Sequence, residues 1–216
     1  MDPASVLESA RFIFVLHRGE AWEATLLAAA GSLLAIPAAR LRVAGLLALP
    51  LFLFRLARRI VGEKANFKMA GSIFAFNGTA MFLYMASGIR PALPAAIAFL
   101  TGFNITAILI AAGDERSGPL NPAVPAGAWV PGGRLTAFCG LAVLTLELPC
   151  FFFSTAMGIR LGAEIHGGLT TYLAGLAPRA AAYGRVVLPL LFLSAGCETV
   201  AIRGMSSRGP SRQGNP

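Results

Sequence analysis

The chain has 216 residues, 56% of them apolar and only 13% charged, with a formal net charge of +8. A water-soluble domain carries about 25% charged residues, so the composition excludes an ordinary water-facing surface. In a soluble chain, 18 basic against 10 acidic residues would suggest nucleic acid. No aromatic-rich basic groove accompanies them here, and in membrane proteins Lys and Arg gather in loops and set orientation, so nucleic acid is not expected as a partner.

The first 20 residues hold one short apolar run, Phe12 to Leu16. It is too short to span, no small-residue cleavage site follows it, and it reads as an interfacial segment. Six spanning segments follow, at about 21–38, 41–60, 67–88, 91–113, 135–161 and 183–202. Each has about the length a helix needs to cross roughly 30 Å of hydrocarbon. The second is the weakest, since it contains Pro50 and ends in Arg55, Arg58 and Arg59; it can instead form half of a tight helical hairpin. Between the fourth and fifth spans, Asp114 to Gly133 is Gly/Pro-rich turn chemistry. Residues 162–179 read as an interfacial helix. Residues 203–216 form a basic, Ser/Gly/Pro-rich tail of disordered composition.

The expected architecture is thus an all-α, polytopic transmembrane helix bundle of about six spans, with no separate domain outside the membrane. Six spans put Arg11, Arg18, Arg55, Arg58, Arg59, Lys64, Lys68, Arg116, Arg134, Arg203, Arg208 and Arg212 on one side, 12 of the 18 basic residues. The other side receives Arg40, Arg42, Arg90, Arg160, Arg179 and Arg185. The excess of basic residues predicts a multi-pass cell-membrane protein with both termini cytoplasmic.

Four strongly polar residues fall near the middle of apolar spans: Asn77, Asn104, Glu147 and Glu198. A charged group at bilayer centre costs about 2.5–3.5 kcal/mol on insertion scales, so such residues should face the bundle interior and find partners there. Glu147 lies two residues before Pro149, which deprives the Thr145 carbonyl of its usual helical bond. Glu147, Phe151, Ser154, Gly158 and Gly162 recur at helical spacing and share one face. Ser154, Gly158 and Gly162 make that face a close-packing surface for another helix. Ser194 lies one turn before Glu198. Two amides and two carboxyls can close a hydrogen-bonded cluster when the carboxyls are neutral, the form hydrocarbon favours. The alternatives are an ion or proton path, a substrate site or switch, or polar glue that fixes helix register.

The three cysteines, Cys139, Cys150 and Cys197, show no metal-ligand spacing and no disulfide framework, and they read as packing residues. His17 reads as an N-terminal surface residue, and His166 lies in a Gly-rich loop with no second His, Cys or acidic cluster to make it a ligand. No nucleophile, general base or phosphate loop is recognisable. Catalysis, a cofactor and a metal site are therefore not expected.

The same polar residues carry a resemblance to the stage II sporulation protein M family of bacterial and archaeal membrane proteins, over about residues 67–202. Asn77 in FAFNGTAMFLY and Asn104 in GFNITAILIAAG resemble that family's pair of span-borne asparagines. The stretch ELPCFFFSTAMGIRLG, from Glu147 to Gly162, resembles its E-L-P-A span with a G-x-R-L-G-like end. SAGCET, ending at Thr199, resembles its last span. Two departures stand out: Val143-Leu144 occupies the place of a family His-Gly, and Ile105 follows Asn104 where Gly is usual. The resemblance implies a helical membrane protein without catalytic residues of its own. It suggests a scaffold or assembly subunit whose partners are membrane lipid and other membrane or envelope proteins, or further copies of itself. A transporter or channel with Glu147 and Glu198 lining a path is the alternative reading.

Overall fold

The computed structural model describes residues 3–61, 67–113, 134–164 and 168–206, and among them every regular element is helical. In chain order these are α1 (Pro3–Leu16), α2 (Arg18–Arg40), α3 (Ala44–Val61), α4 (Phe67–Ala86), a 3₁₀ turn (Ser87–Ile89), α5 (Ala92–Gly113) and α6 (Arg134–Glu164). α7 (Leu169–Ala182) runs through a π-helical turn (Tyr183–Val187) into α8 (Leu188–Ser206). The all-α bundle expected from the sequence is the architecture found. The Gly/Pro-rich segment 114–133, His166 and residues 207–216 lie outside the described residues.

Five helices among the described residues are long and apolar enough to cross a membrane: Arg18–Arg40, Lys68–Ile89, Ala92–Ile110, Phe138–Glu164 and Leu169–Arg203. Two sequence expectations shift. In α3 the apolar stretch among the described residues is Ala44–Leu53. The segment read as interfacial, 162–179, instead supplies the end of α6 and most of α7, and α7 is the first half of the last long helix. Gly168 starts α7 at φ 81, a left-handed conformation that costs a side-chain-bearing residue about 1–2 kcal/mol.

Helix ends explain the chain's turns. α2 stops in a Schellman arrangement: the Arg42 N–H donates to the Ala39 carbonyl at 3.1 Å and the Val43 N–H to the Ala38 carbonyl at 3.0 Å. Arg42 takes the left-handed position, φ 51, that glycine usually fills. The chain is thereby thrown sideways into α3. The α4–α5 connection is short because Ser87 turns its hydroxyl onto the Tyr84 carbonyl at 2.6 Å, tightening the last turn.

Small residues set the packing. α2 and α5 make the most extensive helix contact. A Cβ on Gly31 would collide with the Phe99 carbonyl, and one on Gly102 with the Ala28 backbone. Lipid tails are as apolar as leucine, so close backbone approach is what helices gain from association in a membrane. Ser32 adds a hydrogen bond across this contact to the Gly102 carbonyl, 3.1 Å. α4, α6 and α8 form the second group, around Met81, Met85, Met157 and Leu191.

The end of α6 fixes helix directions. Arg160 reaches Glu20 at the start of α2, 3.5 Å away, and Gly162 packs on Pro91 just before α5. The same end of α6 receives Gly88, at the end of α4. α2 and α5 therefore run parallel to each other, and α4 runs parallel to α6. We call these the Arg160 end and, opposite it, the Arg203 end.

Candidate functional site

The bundle interior is polar at one level. The Asn77 amide on α4 donates to Oε1 of Glu147 on α6 at 2.9 Å. The Ser194 hydroxyl on α8 donates to the same oxygen, also at 2.9 Å. One carboxyl oxygen thus ties three helices. Along α4, Asn77 stands about 14 Å from Lys68 and about 20 Å from Arg90 at 1.5 Å per residue. That places the hub near the middle of a core about 30 Å thick.

Local sequence explains why Glu147 is available. Proline at 149 cannot donate to the carbonyl one turn earlier. Thr145 folds its hydroxyl back onto the Leu141 and Ala142 carbonyls, both at 3.0 Å. On α4 the next residue, Gly78, lets Tyr183 approach, and the buried Tyr183 hydroxyl donates to the Gly78 carbonyl at 2.6 Å. The π-helical turn that begins at Tyr183 thus meets α4 one residue from the hub.

Of the four polar residues singled out in the sequence, Asn77 and Glu147 come together directly. Glu198, one turn beyond Ser194, lies close enough to Glu147 for the two carboxyls to interact electrostatically, but it makes no hydrogen bond among the described residues. Asn104 does not join the hub; its buried Oδ1 has no donor among the described residues. Ser154, Gly158 and Gly162 lie on the buried face of α6. The two glycines receive the α4–α5 turn, with Gly158 against Tyr84 and Gly162 against Pro91. Ser154 and its neighbour Thr155 are fully buried, and their hydroxyls have no partner among the described residues.

Two groupings were not anticipated. The first is a charged cluster at the Arg160 end. Arg160 donates to the Leu16 carbonyl at 2.6 Å and to Glu164 at 2.9 Å. Arg179, nearly fully buried, donates to the other Glu164 oxygen at 2.7 Å. Arg160 and Arg179, expected from the sequence among loop cations, instead fasten α2, α6 and α7. His17, expected at the surface, is instead wholly buried beside them, its Nδ1 3.0 Å from the Phe12 carbonyl and its Nε2 without a partner among the described residues. Burial holds the His17 pKa below the ordinary 6.5; the Phe12 carbonyl opposes this, as does Glu20, while Arg179 and Arg160 add to it. The second grouping is a thiol pair. Cys139 on α6 and Cys197 on α8 lie close enough to interact electrostatically, a proximity that spacing along the sequence cannot reveal.

Chemically, the hub can hold helices in register, or bind and release a proton or cation at a carboxyl. Among the described residues no group of three or more His, Cys, Asp or Glu comes together. No family model, curated protein or solved structure matches the chain.

Proposed function

We propose that this protein is a non-catalytic scaffold or assembly subunit of a membrane complex. The observation that carries this reading is the sharing of one Glu147 oxygen by Asn77 and Ser194. Interhelical hydrogen bonds in a membrane each contribute about 0.6 kcal/mol on average, up to ~1.7, enough to fix helix register. The resemblance to the stage II sporulation protein M family, carried by Asn77, Asn104 and the Glu147 block, supports the same reading. Its partners are membrane or envelope proteins, or further copies of the chain. The test is isolation of the protein from native membranes after in-membrane cross-linking, for wild type and for Glu147→Gln with Glu198→Gln. A partner present in fixed stoichiometry in both is expected. A wild-type protein recovered only as a free monomer would overturn the scaffold.

A second reading, a proton or ion path, is favoured by Glu198, a carboxyl beside Glu147 that has no hydrogen bond among the described residues. The Ser154 and Thr155 hydroxyls, without partners among the described residues, continue polar character along α6 toward the Arg160 end. It requires flux through proteoliposomes of purified wild type that the double Gln variant loses while still folded. Absence of flux for protons, sodium and potassium would sink it.

The proposed topology has five crossings. What supports it is the parallel course of α2 and α5: α2 ends and α4 begins at the same Arg203 end, so α3 between them makes no net crossing. Arg11 and Arg18 then exchange sides with Arg40 and Arg42 relative to the six-span expectation. The Arg203 end again gathers 12 of the 18 basic residues, so that end is cytoplasmic and the segment preceding α2 lies outside. This replaces the expectation that both termini are cytoplasmic. Gly19→Cys, at a position where an added Cβ meets nothing, should react with a membrane-impermeant maleimide on intact cells, and Ser211→Cys should not. Protection of both would restore an even number of spans.

A further inference from the structure

The bundle surface between α4 and α8 carries a groove that the polar hub does not use. It has a volume of about 480 Å³ and is bordered by Gly71 and Phe74 on α4 and by Phe192, Gly196, Thr199 and Arg203 on α8. Two glycines make it. A Cβ placed on Gly71 or on Gly196 meets no atom, so a larger side chain at either would fill the groove rather than strain the helices. Phe74 and Phe192 meet edge to face with ring centroids 5.7 Å apart at its inner end. The Thr199 hydroxyl is satisfied within its own helix by the Ala195 carbonyl, 2.8 Å. At the outer end stands Arg203, exposed. Among the described residues no carboxylate lines the groove.

The dimensions select an occupant. From Phe192 to Arg203 the α8 axis rises about 16 Å, roughly half of a 30 Å hydrocarbon core and therefore the depth of one leaflet. A partner helix would run the full thickness; a lipid chain stops at the midplane. The chemistry agrees, since the walls are apolar and the one charge among the described lining residues, a cation, is at the membrane border. We infer that this groove is a binding site for one anionic phospholipid. The acyl chain lies over Gly71 and Gly196, its methyl end reaches Phe74 and Phe192, and the headgroup phosphate meets Arg203. A zwitterionic lipid brings its own ammonium to the arginine and is disfavoured. The site is independent of the scaffold reading, because it touches none of Asn77, Glu147 or Ser194.

The experiment is native mass spectrometry of the full-length protein released from nanodiscs of equimolar phosphatidylglycerol and phosphatidylcholine with identical chains. Wild type should retain one phosphatidylglycerol in preference. Arg203→Gln should lower the retained glycerol-to-choline ratio about fivefold, the worth of one basic contact at a membrane surface, while a lipid is still held. Gly196→Leu, or Gly71→Leu from the opposite wall, should abolish retention of both lipids with an unchanged thermal midpoint. Equal retention of the two lipids by wild type, or an unchanged ratio in Arg203→Gln, would overturn the headgroup assignment. Retention intact in a folded leucine variant would overturn the groove. Unfolding of both leucine variants would contradict the open space beside the glycines and overturn it as well.

Discussion

Glu147→Leu is the sharpest test of the hub. It removes the oxygen that Asn77 and Ser194 share, both at 2.9 Å, and leaves two donors facing hydrocarbon. At about 0.6–1.7 kcal/mol per interhelical bond, the loss should be about 1–3 kcal/mol. Glu147→Gln keeps an acceptor oxygen in the same place and should change stability by less than about 1 kcal/mol. The sign separates this account from its rival. Were the hub a buried ion held at the roughly 2.5–3.5 kcal/mol cost of a mid-membrane charge, both substitutions would relieve that cost and stabilise the protein. The assay is reversible unfolding by sodium dodecyl sulfate in mixed micelles, followed by circular dichroism. A double-mutant cycle with Asn77→Ala isolates the α4–α6 bond, with an expected coupling of at least about 0.6 kcal/mol. A leucine variant as stable as wild type, or a coupling indistinguishable from zero, would refute the reasoning.

Other outcomes follow from the packing and the charged end. Gly31→Leu and Gly102→Leu should each cost at least about 1–3 kcal/mol, because their side chains would have to enter the Phe99 and Ala28 backbones; unchanged unfolding curves would show that α2 and α5 are not in such contact. Mild oxidation should join Cys139 to Cys197, the two thiols losing two protons and two electrons to the added oxidant. The bond should vanish in Cys197→Ser and persist in Cys150→Ser, as read by peptide mass spectrometry. For His17, the folded-state pKa lies below the ordinary 6.5 because burial disfavours the cation. The stability this contributes is complete above about 6.5 and is lost as pH falls through the lowered value. Hydrogen exchange in α1 should therefore rise between about pH 7 and pH 5. Arg179, Arg160 and Glu20 are the charged groups facing His17, and His17→Gln should flatten the response. An unchanged response in that variant would assign the pH dependence elsewhere.

Much of this protein is written in its composition. Apolar runs of about 20 residues fix helices and a membrane environment, because no other open structure satisfies its backbone in lipid. That logic located α4, α5 and α6 to within a few residues and marked Asn77 and Glu147 as interior. Hydropathy is silent about helix direction and pairing. α3 has nearly the length of a span, yet the partner of α2 is α5, in parallel, and no single-helix property encodes that pairing. Asn104 has the same depth and chemistry as Asn77, but depth says nothing about which neighbour a face meets. In the sequence Ser194 is only the residue one turn before Glu198, yet it is Ser194 that reaches Glu147, while Glu198 makes no hydrogen bond among the described residues. Sequence determined what each residue costs in hydrocarbon. The tertiary structure decided which costs are offset, because a hydrogen bond across helices depends on azimuth and register, which are set by glycine contacts such as Gly158 against Tyr84 and Gly31 against Phe99.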